Sequence, residues 1–197
     1  MSDAIEARKA RLRQDLAEAA RGLDPAERQR LSERACARLR EQPVWQTARA
    51  ILFYAPLRSE VDLWPLLSEA LGRGLTVALP RFVPASGVYE AAVIRSPERD
   101  LIAGQFGIRE PGPGCQVWPL NRLDLVLAPG VGFDLDGRRL GRGQGYYDRL
   151  LSLVDGLRCG VAMDRQVLPR VPAAPHDVAV DCLLTPTRWL NFHRRAA

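Results

Sequence analysis

The feature that most constrains this chain is an apolar run, Leu123-Asp124-Leu125-Val126-Leu127-Ala128-Pro129-Gly130. It leads into Gly132-Phe133-Asp134-Leu135-Asp136-Gly137-Arg138-Arg139-Leu140-Gly141-Arg142-Gly143-Gln144-Gly145-Tyr146-Tyr147-Asp148. Short and closed by Pro-Gly, the first run reads as a buried strand of a parallel sheet. Tyr147, Leu150, Leu151 and Val154 then recur at helical spacing, so a helix is expected over residues 146–154. Glycines at 141, 143 and 145 allow positive φ and close backbone approach, so that several N–H groups can converge on one anion. Arg139 and Arg142 add planar forks suited to phosphate or carboxylate oxygens. Strand, glycine loop and helix N-terminus together form an anion-holding geometry. Neither the G-x-G-x-x-G nor the G-x-x-x-x-G-K-[ST] spacing occurs, which excludes the common dinucleotide and P-loop fingerprints. A glycine-rich turn capped by salt-bridged arginines would leave the same letters.

With 197 residues, 47% of them apolar, the chain can bury one substantial core and is expected to form a single domain. It has no apolar stretch of the ~18 residues a membrane span needs, and Met1-Ser2-Asp3-Ala4-Ile5-Glu6 is charged and helical in pattern rather than leader-like. A cytoplasmic protein is expected. Four cysteines (36, 115, 159 and 182) form no C-x-x-C pair and stand beside only two histidines, which argues against zinc and against a disulfide framework. The net charge of +5 favours anionic small substrates, whereas the dispersal of arginine among 23 acidic residues argues against nucleic acid. Of the 28 basic residues only Lys9 is lysine. An ammonium reaches a phosphate without the bulk of a guanidinium, although a chance surface lysine fits the count as well.

Ile5, Leu12, Leu16, Ala19 and Ala20 give residues 3–23 a one-sided helical pattern. Asp24-Pro25-Ala26-Glu27 restarts the chain with Asp at N-cap, Pro at N1 and Glu at N3, and a second helix is expected to residue 40. Strands at 50–55 and 75–79, ended by Pro56 and Pro80, flank a helix at 65–71 ended by Gly72, which makes one βαβ unit. A strand at 89–94 suits antiparallel pairing, residues 105–114 read as an irregular link, and short strands follow at 158–162 and 182–185. The alternation implies a three-layer α/β sandwich with a mainly parallel sheet, whose ligands gather at the carboxyl ends of strands. Arg58-Ser59-Glu60, the glycine-rich loop and Met163-Asp164-Arg165 all fall at such ends.

Six motifs in order carry a resemblance. They are Lys9-Ala10-Arg11-Leu12-Arg13, Ser59-Glu60-Val61-Asp62, Phe106-Gly107-Ile108-Arg109-Glu110-Pro111, Pro129-Gly130-Val131-Gly132-Phe133-Asp134, the segment from Arg139 to Asp148, and His176-Asp177-Val178-Ala179-Val180-Asp181. With these the chain resembles the 5-formyltetrahydrofolate cyclo-ligases, or methenyltetrahydrofolate synthetases, over nearly its whole length. The resemblance implies a fold similar to the sugar-phosphate isomerase and CoA-transferase group. It also implies ATP- and Mg²⁺-dependent closure of 5-formyltetrahydrofolate to 5,10-methenyltetrahydrofolate with release of ADP and phosphate, through phosphorylation of the formyl oxygen. By that similarity Lys9 and Arg142 are the expected catalytic cations. Lys9, Arg13, Arg139, Leu140, Gly141, Arg142, Gly143, Gln144, Gly145, Tyr146 and Tyr147 would bind ATP. Glu60, with Arg142, Gly143, Gln144, Gly145 and Tyr146, would border the folate, and Asp148 and Asp177 would hold Mg²⁺. Salt bridges to neighbouring arginines are the alternative for both aspartates. Asp134 and Asp136 are expected to shape the turn before Arg138, and Tyr147 to face the core. Position 144 is Gln where lysine or glycine is common in the family. A monomer without nucleic-acid or membrane partners is expected. Another phosphate-ester enzyme on the same fold, or a noncatalytic RNA-binding module, remains the competing expectation.

Overall fold

The apolar runs assemble into one sheet whose growth reverses direction at its middle strand. The computed structural model describes residues 2–20 and 22–192, without the side chains of Ser2, Asp3, Ala19, Ala20 and Phe106. Its helices are α1 (Ser2–Ala20), α2 (Pro25–Arg40), α3 (Pro43–Thr47), α4 (Trp64–Gly72), α5 (Pro97–Asp100) and α6 (Tyr146–Leu151). The strands begin with β1 (Ala50–Leu52), β2 (Thr76–Val83), β3 (Val88–Ile94), β4 (Leu101–Ala103), β5 (Arg109–Pro111) and β6 (Val117–Trp118). They continue with β7 (Leu125–Pro129), β8 (Gly132–Asp134), β9 (Arg139–Leu140), β10 (Leu157–Val161), β11 (Val167–Leu168), β12 (Cys182–Leu184) and β13 (Trp189–Asn191). The main sheet runs β13-β12-β10-β7-β1-β2-β3-β6, parallel from β12 to β2 and antiparallel at its margins. A mainly parallel α/β sheet and the antiparallel pairing of β3 are therefore as the sequence led us to expect.

Alternation along the strands divides the core. Ile51, Phe53, Val77, Leu79, Leu125, Leu127 and Val161 face α2, α3 and α4, whereas Ala50, Leu52, Ala78, Val126 and Ala128 face Leu150 and Leu151 of α6. Burying a leucine or phenylalanine side chain is worth about 1.5–3 kcal/mol, so these two faces fix the register of every central strand. Asp24 caps α2 as expected, its carboxylate accepting from Glu27 N at 3.1 Å. Of the helix expected over residues 3–23, Gly22 and Leu23 are not helical, and Arg21 and the Asp3, Ala19 and Ala20 side chains lie outside the described residues.

The chain passes from β1 through α4 to β2 on one side, while β7 pairs with β1 on the other, so a crevice opens at the carboxyl end of β1. Pro80 sits inside β2 rather than ending it. Ala78 O accepts from Phe53 N at 2.9 Å, so the nitrogen of Pro80, two residues on, faces the same side, where β1 has already ended. No ladder bond is lost, and the crevice wall begins there.

Several expectations need correction. The glycine-rich loop does not follow β7 directly: a β8–β9 hairpin, extended by β11, intervenes and sets the loop to one side. Helix α6 ends at Leu151, three residues short of the expected 154, and α4 includes Gly72, its chain reversing at left-handed Gly74 with φ 72°. The link at 105–114 is partly ordered, since β5 pairs with β4.

Phe133 of β8 is fully buried, and its ring fills space that two glycines leave. A Cβ on Gly130 would meet Phe133 Cζ at 2.6 Å, and one on Gly160 would meet Cε1 at 2.5 Å. We predict that Phe133→Ala lowers stability by about 3–5 kcal/mol in urea titrations, the cost of an aromatic-sized cavity. A loss under about 1 kcal/mol would mean that the glycine turns collapse onto the space instead.

Candidate active site

Two cavities meet at the crevice. One, of about 380 Å³, is walled by Tyr54, Pro80, Ile108, Tyr89, Tyr146 and Tyr147, with Glu60, Arg139 and Asp148 as its charged residues from the strand ends and α6. Arg142, Gln144 and Gly145 of the glycine-rich loop and Arg109 and Glu110 of β5 complete much of the lining. The other, of about 420 Å³, is basic: Arg13 of α1, Arg142 and Arg165 line it with Ser59, Glu60 and Gln166. Glu60 and Arg142 belong to both walls and pair with each other, Arg142 Nη2 donating to Glu60 Oε1 at 3.1 Å. The second Glu60 oxygen accepts from Leu57 N at 2.9 Å. A buried carboxylate accepts only, so this one selects a ligand edge bearing N–H groups.

The aromatic wall is packed edge to face. Tyr146 lies 5.2 Å from both Phe82 and Tyr89, and Tyr147 stands 6.1 Å from Tyr89 with the Arg139 guanidinium over its ring at 5.5 Å. Tyr147 packs on the α6 core as expected and also lines the cavity; burial drives its phenol pKa far above the ordinary tyrosine value, so it stays neutral. Planar rings bounding a slot of this size suit a flat heteroaromatic ligand.

Loop geometry is set by three different constraints. Gly143 (φ 100°) and Gly145 (φ 64°) are left-handed, as the sequence suggested. Gly141 has no positive φ; it is small because a Cβ there would meet Arg139 Nη1 at 2.9 Å. Arg13 Nε donates to Gly141 O at 2.8 Å and lies under Gly143, which fastens the loop to α1. Leu140 is buried in β9 and reaches neither cavity. Upstream, Asp134 accepts from the backbones of Asp136 and Arg138 at 3.0 Å and shapes the turn, as expected.

Beneath the loop runs a chain of charges. Lys9 is 4% exposed, and its Nζ lies 2.7 and 2.9 Å from the two Asp177 oxygens and 3.1 Å from Glu6. Asp177 also accepts from Ala174 N at 2.6 Å. The next residue, Val178, donates from its N to Asp148 Oδ1 at 3.2 Å, while Arg139 Nη2 takes Asp148 Oδ2 at 3.0 Å and its Nη1 reaches Pro129 O at 3.4 Å. Asp148 is thus paired with an arginine, the alternative weighed from sequence, and Asp177 with the lone lysine. Lys9 lines neither cavity in this state. Arg165, Gln166, Tyr54 and Tyr89 were not assigned roles from sequence; only the strand-end position of Met163-Asp164-Arg165 pointed to Arg165.

Burial disfavours the Lys9 ammonium, but hydrogen bonds and charge from Asp177 and Glu6 outweigh it and raise its pKa above the ordinary 10.5. The stabilisation this gives is fully present below pH 10.5 and is lost as pH rises through the folded-state value. We predict that Lys9→Met is less stable than the unsubstituted chain by about 1–3 kcal/mol near neutrality, because Asp177 loses its charged donor. That gap should narrow above pH 10.5. A gap independent of pH would exclude the ion pair as its source.

A model of the 5-formyltetrahydrofolate cyclo-ligase family matches residues 5–186. The 5-formyltetrahydrofolate cyclo-ligase of Escherichia coli K12 is 30% identical over 172 residues, covering 85% of this chain and 94% of that one. Its counterpart from Mycolicibacterium smegmatis is 34% identical over 154 residues, 73% and 77% of the two chains. Among solved structures, the Aquifex aeolicus 5,10-methenyltetrahydrofolate synthetase superposes with a TM-score of 0.85 at 36% identity, covering 96% of this chain and 95% of the other. The family match runs through every segment that builds the two cavities, from α1 to the turn after β10, and the chain therefore belongs to the 5-formyltetrahydrofolate cyclo-ligase family.

Proposed function

We propose that the aromatic cavity receives the pterin of 5-formyltetrahydrofolate and the basic cavity the triphosphate of ATP, and that the chain converts them into 5,10-methenyltetrahydrofolate, ADP and phosphate. The observation that carries this reading is the Glu60–Arg142 pair on the wall common to both cavities. One member is an acceptor for pterin N–H groups and the other a donor for phosphate oxygens, so the reacting ends of two substrates would meet across them.

A formamide oxygen is a weak nucleophile and a hydroxide-like oxygen a poor leaving group. Attack of the formyl oxygen on the terminal phosphorus forms a C–O–P linkage and expels ADP. N10 then attacks the same carbon, loses its proton and displaces phosphate, closing the five-membered ring. The protein's work is to position the partners and neutralise charge. Arg13 and Arg142 would hold phosphate oxygens, with Lys9 and Arg139 as the cations behind the loop. Gly141, Gly143, Gln144, Gly145 and Tyr146 would follow the nucleotide and folate with their backbone and rings. The aromatic wall excludes water, which strengthens the Glu60 contact and protects the phosphorylated intermediate.

Asp148 and Asp177 are the residues that would hold Mg²⁺. Among the described residues no cluster of three acidic, His or Cys side chains exists, and each carboxylate is paired with a cation, Arg139 or Lys9, so a metal there would draw most of its shell from phosphate oxygens and water. Bound there, the ion would supply charge neutralisation on the transferring phosphate. The same reading makes the protein a single-domain cytoplasmic monomer of the sugar-phosphate isomerase and CoA-transferase fold group, without nucleic-acid or membrane partners. Dispersed charge supports the reading without nucleic acid; among the described residues no helix is long and apolar enough to cross a membrane.

The test is the absorbance of 5,10-methenyltetrahydrofolate in mildly acidic buffer, with 5-formyltetrahydrofolate and Mg²⁺, with and without ATP. Growth only with ATP is expected. Glu60→Gln should raise KM for the folate about 10-fold or more, since one hydrogen bond to a charged group is lost, and Arg139→Ala should act mainly on ATP. Asp148→Asn should raise the Mg²⁺ requirement. A flat trace from folded protein, or equal small effects in all three variants, would overturn the reading.

A further inference from the structure

We infer that Arg165 is a phosphate-binding residue of the basic cavity, contacting the triphosphate chain of the nucleotide. The inference deepens the reading of that cavity as the ATP site and rests on it. It adds a residue from the turn after β10, outside the glycine-rich loop and α1.

Three guanidinium groups line the cavity, and they differ in what holds them. Arg13 is committed through Nε to Gly141 O, and Arg142 through Nη2 to Glu60. For Arg165 no hydrogen bond or ion pair is found among the described residues. Its whole planar fork is therefore available for bidentate contact with phosphate oxygens. A free cation beside two tethered ones in a concave site is a charge held by solvent alone, which an anion can replace.

The backbone that carries Arg165 is, by contrast, firmly mounted. Residues 164–166 form a single 3₁₀ turn two residues beyond the end of the parallel strand β10. Gln166 closes that turn, its Oε1 accepting from Met163 N at 2.7 Å. Its Nε2 donates to Gly130 O at 2.9 Å and to Val131 O at 3.1 Å, so the turn is fastened to the β7–β8 connection. Asp164, the neighbour that could have neutralised Arg165, is engaged elsewhere: it accepts from Thr185 Oγ1 at 2.6 Å and Thr187 Oγ1 at 2.5 Å and pairs with Arg188 at 3.5 Å. Those hydroxyl hydrogen bonds and the Arg188 charge outweigh burial and hold the Asp164 carboxyl below its ordinary pKa, so it stays an anion turned toward Arg188. A rigid base and a free charged tip preorganise the contact, because only the side chain must be ordered on binding.

The glycine-rich loop gives the basic cavity one cation, Arg142, while Gln144 lines the aromatic cavity. Arg165 brings a further positive charge to the same cavity from a separate element, which suits a ligand with several anionic oxygens spread along a chain better than a single carboxylate.

The experiment compares the unsubstituted enzyme, Arg165→Ala and Arg165→Lys. Arg165 is exposed, so both variants are expected to fold with unchanged melting temperature. In the Mg²⁺-dependent assay Arg165→Ala should raise KM for ATP about 10-fold, the loss of one charge-assisted hydrogen bond, with KM for 5-formyltetrahydrofolate unchanged. Arg165→Lys should recover part of that loss. Calorimetric binding of tripolyphosphate reads the contact without turnover and should weaken by a similar factor, which places it on the phosphates rather than the base. Unchanged ATP KM and tripolyphosphate affinity would overturn the proposal, and so would a rise in the folate KM alone, which would assign Arg165 to the folate's carboxylates. Failure of the unsubstituted protein to use ATP would instead count against the function proposed above, while tripolyphosphate binding would still decide the role of Arg165.

Discussion

A cation taken out of water must keep a counter-charge, and in this protein that requirement ties the site's separate segments into one body. Lys9 of α1 meets Asp177, Val178 N meets Asp148, Asp148 meets Arg139, and Arg139 reaches Pro129 at the end of β7. The elements joined are far apart in sequence: the first helix, the β9 hairpin, α6 and the segment after β11. Removing Lys9 or Arg139 leaves a half-buried carboxylate without its cation, a larger penalty than the worth of a single exposed pair. Placement of the glycine-rich loop depends on this chain, since Arg13 and Arg139 hold it from below.

Above that charged floor the molecule separates two environments. The tyrosines and Pro80 give one cavity a low-dielectric wall, while the arginines give the other a positive field. The Glu60–Arg142 pair stands at the boundary and is the one contact that both ligands of the proposed reaction would disturb. On the proposed reading, such an arrangement would link recognition of the pterin edge to the release of a guanidinium toward phosphate.

Much of this was legible in the residues. The apolar runs at 50–55 and 123–130 give central strands, of which the structure pairs 50–52 and 125–129, and Asp24-Pro25 gives a capped helix start, because burial and local hydrogen bonding act over short stretches. The glycine-rich segment points to the candidate site. Its setting was harder to read: β8 and β9 are two or three residues long, and their pairing depends on Phe133 filling space above Gly160, a contact without local periodicity. Gly141 illustrates the same limit, being required by the Arg139 side chain rather than by φ. Arg165 carries no motif, and only its position at the end of β10, held by Gln166, distinguishes it from the other exposed arginines.

The central claim is that phosphate is transferred onto the formyl oxygen across the wall shared by the two cavities. The most direct measurement follows a heavy-oxygen label placed in the formyl group of 5-formyltetrahydrofolate and reads the released phosphate by mass spectrometry. The account predicts that the label appears in phosphate in step with formation of 5,10-methenyltetrahydrofolate. Methenyl product accompanied by unlabelled phosphate would contradict it, since the formyl oxygen would then have left without ever being phosphorylated.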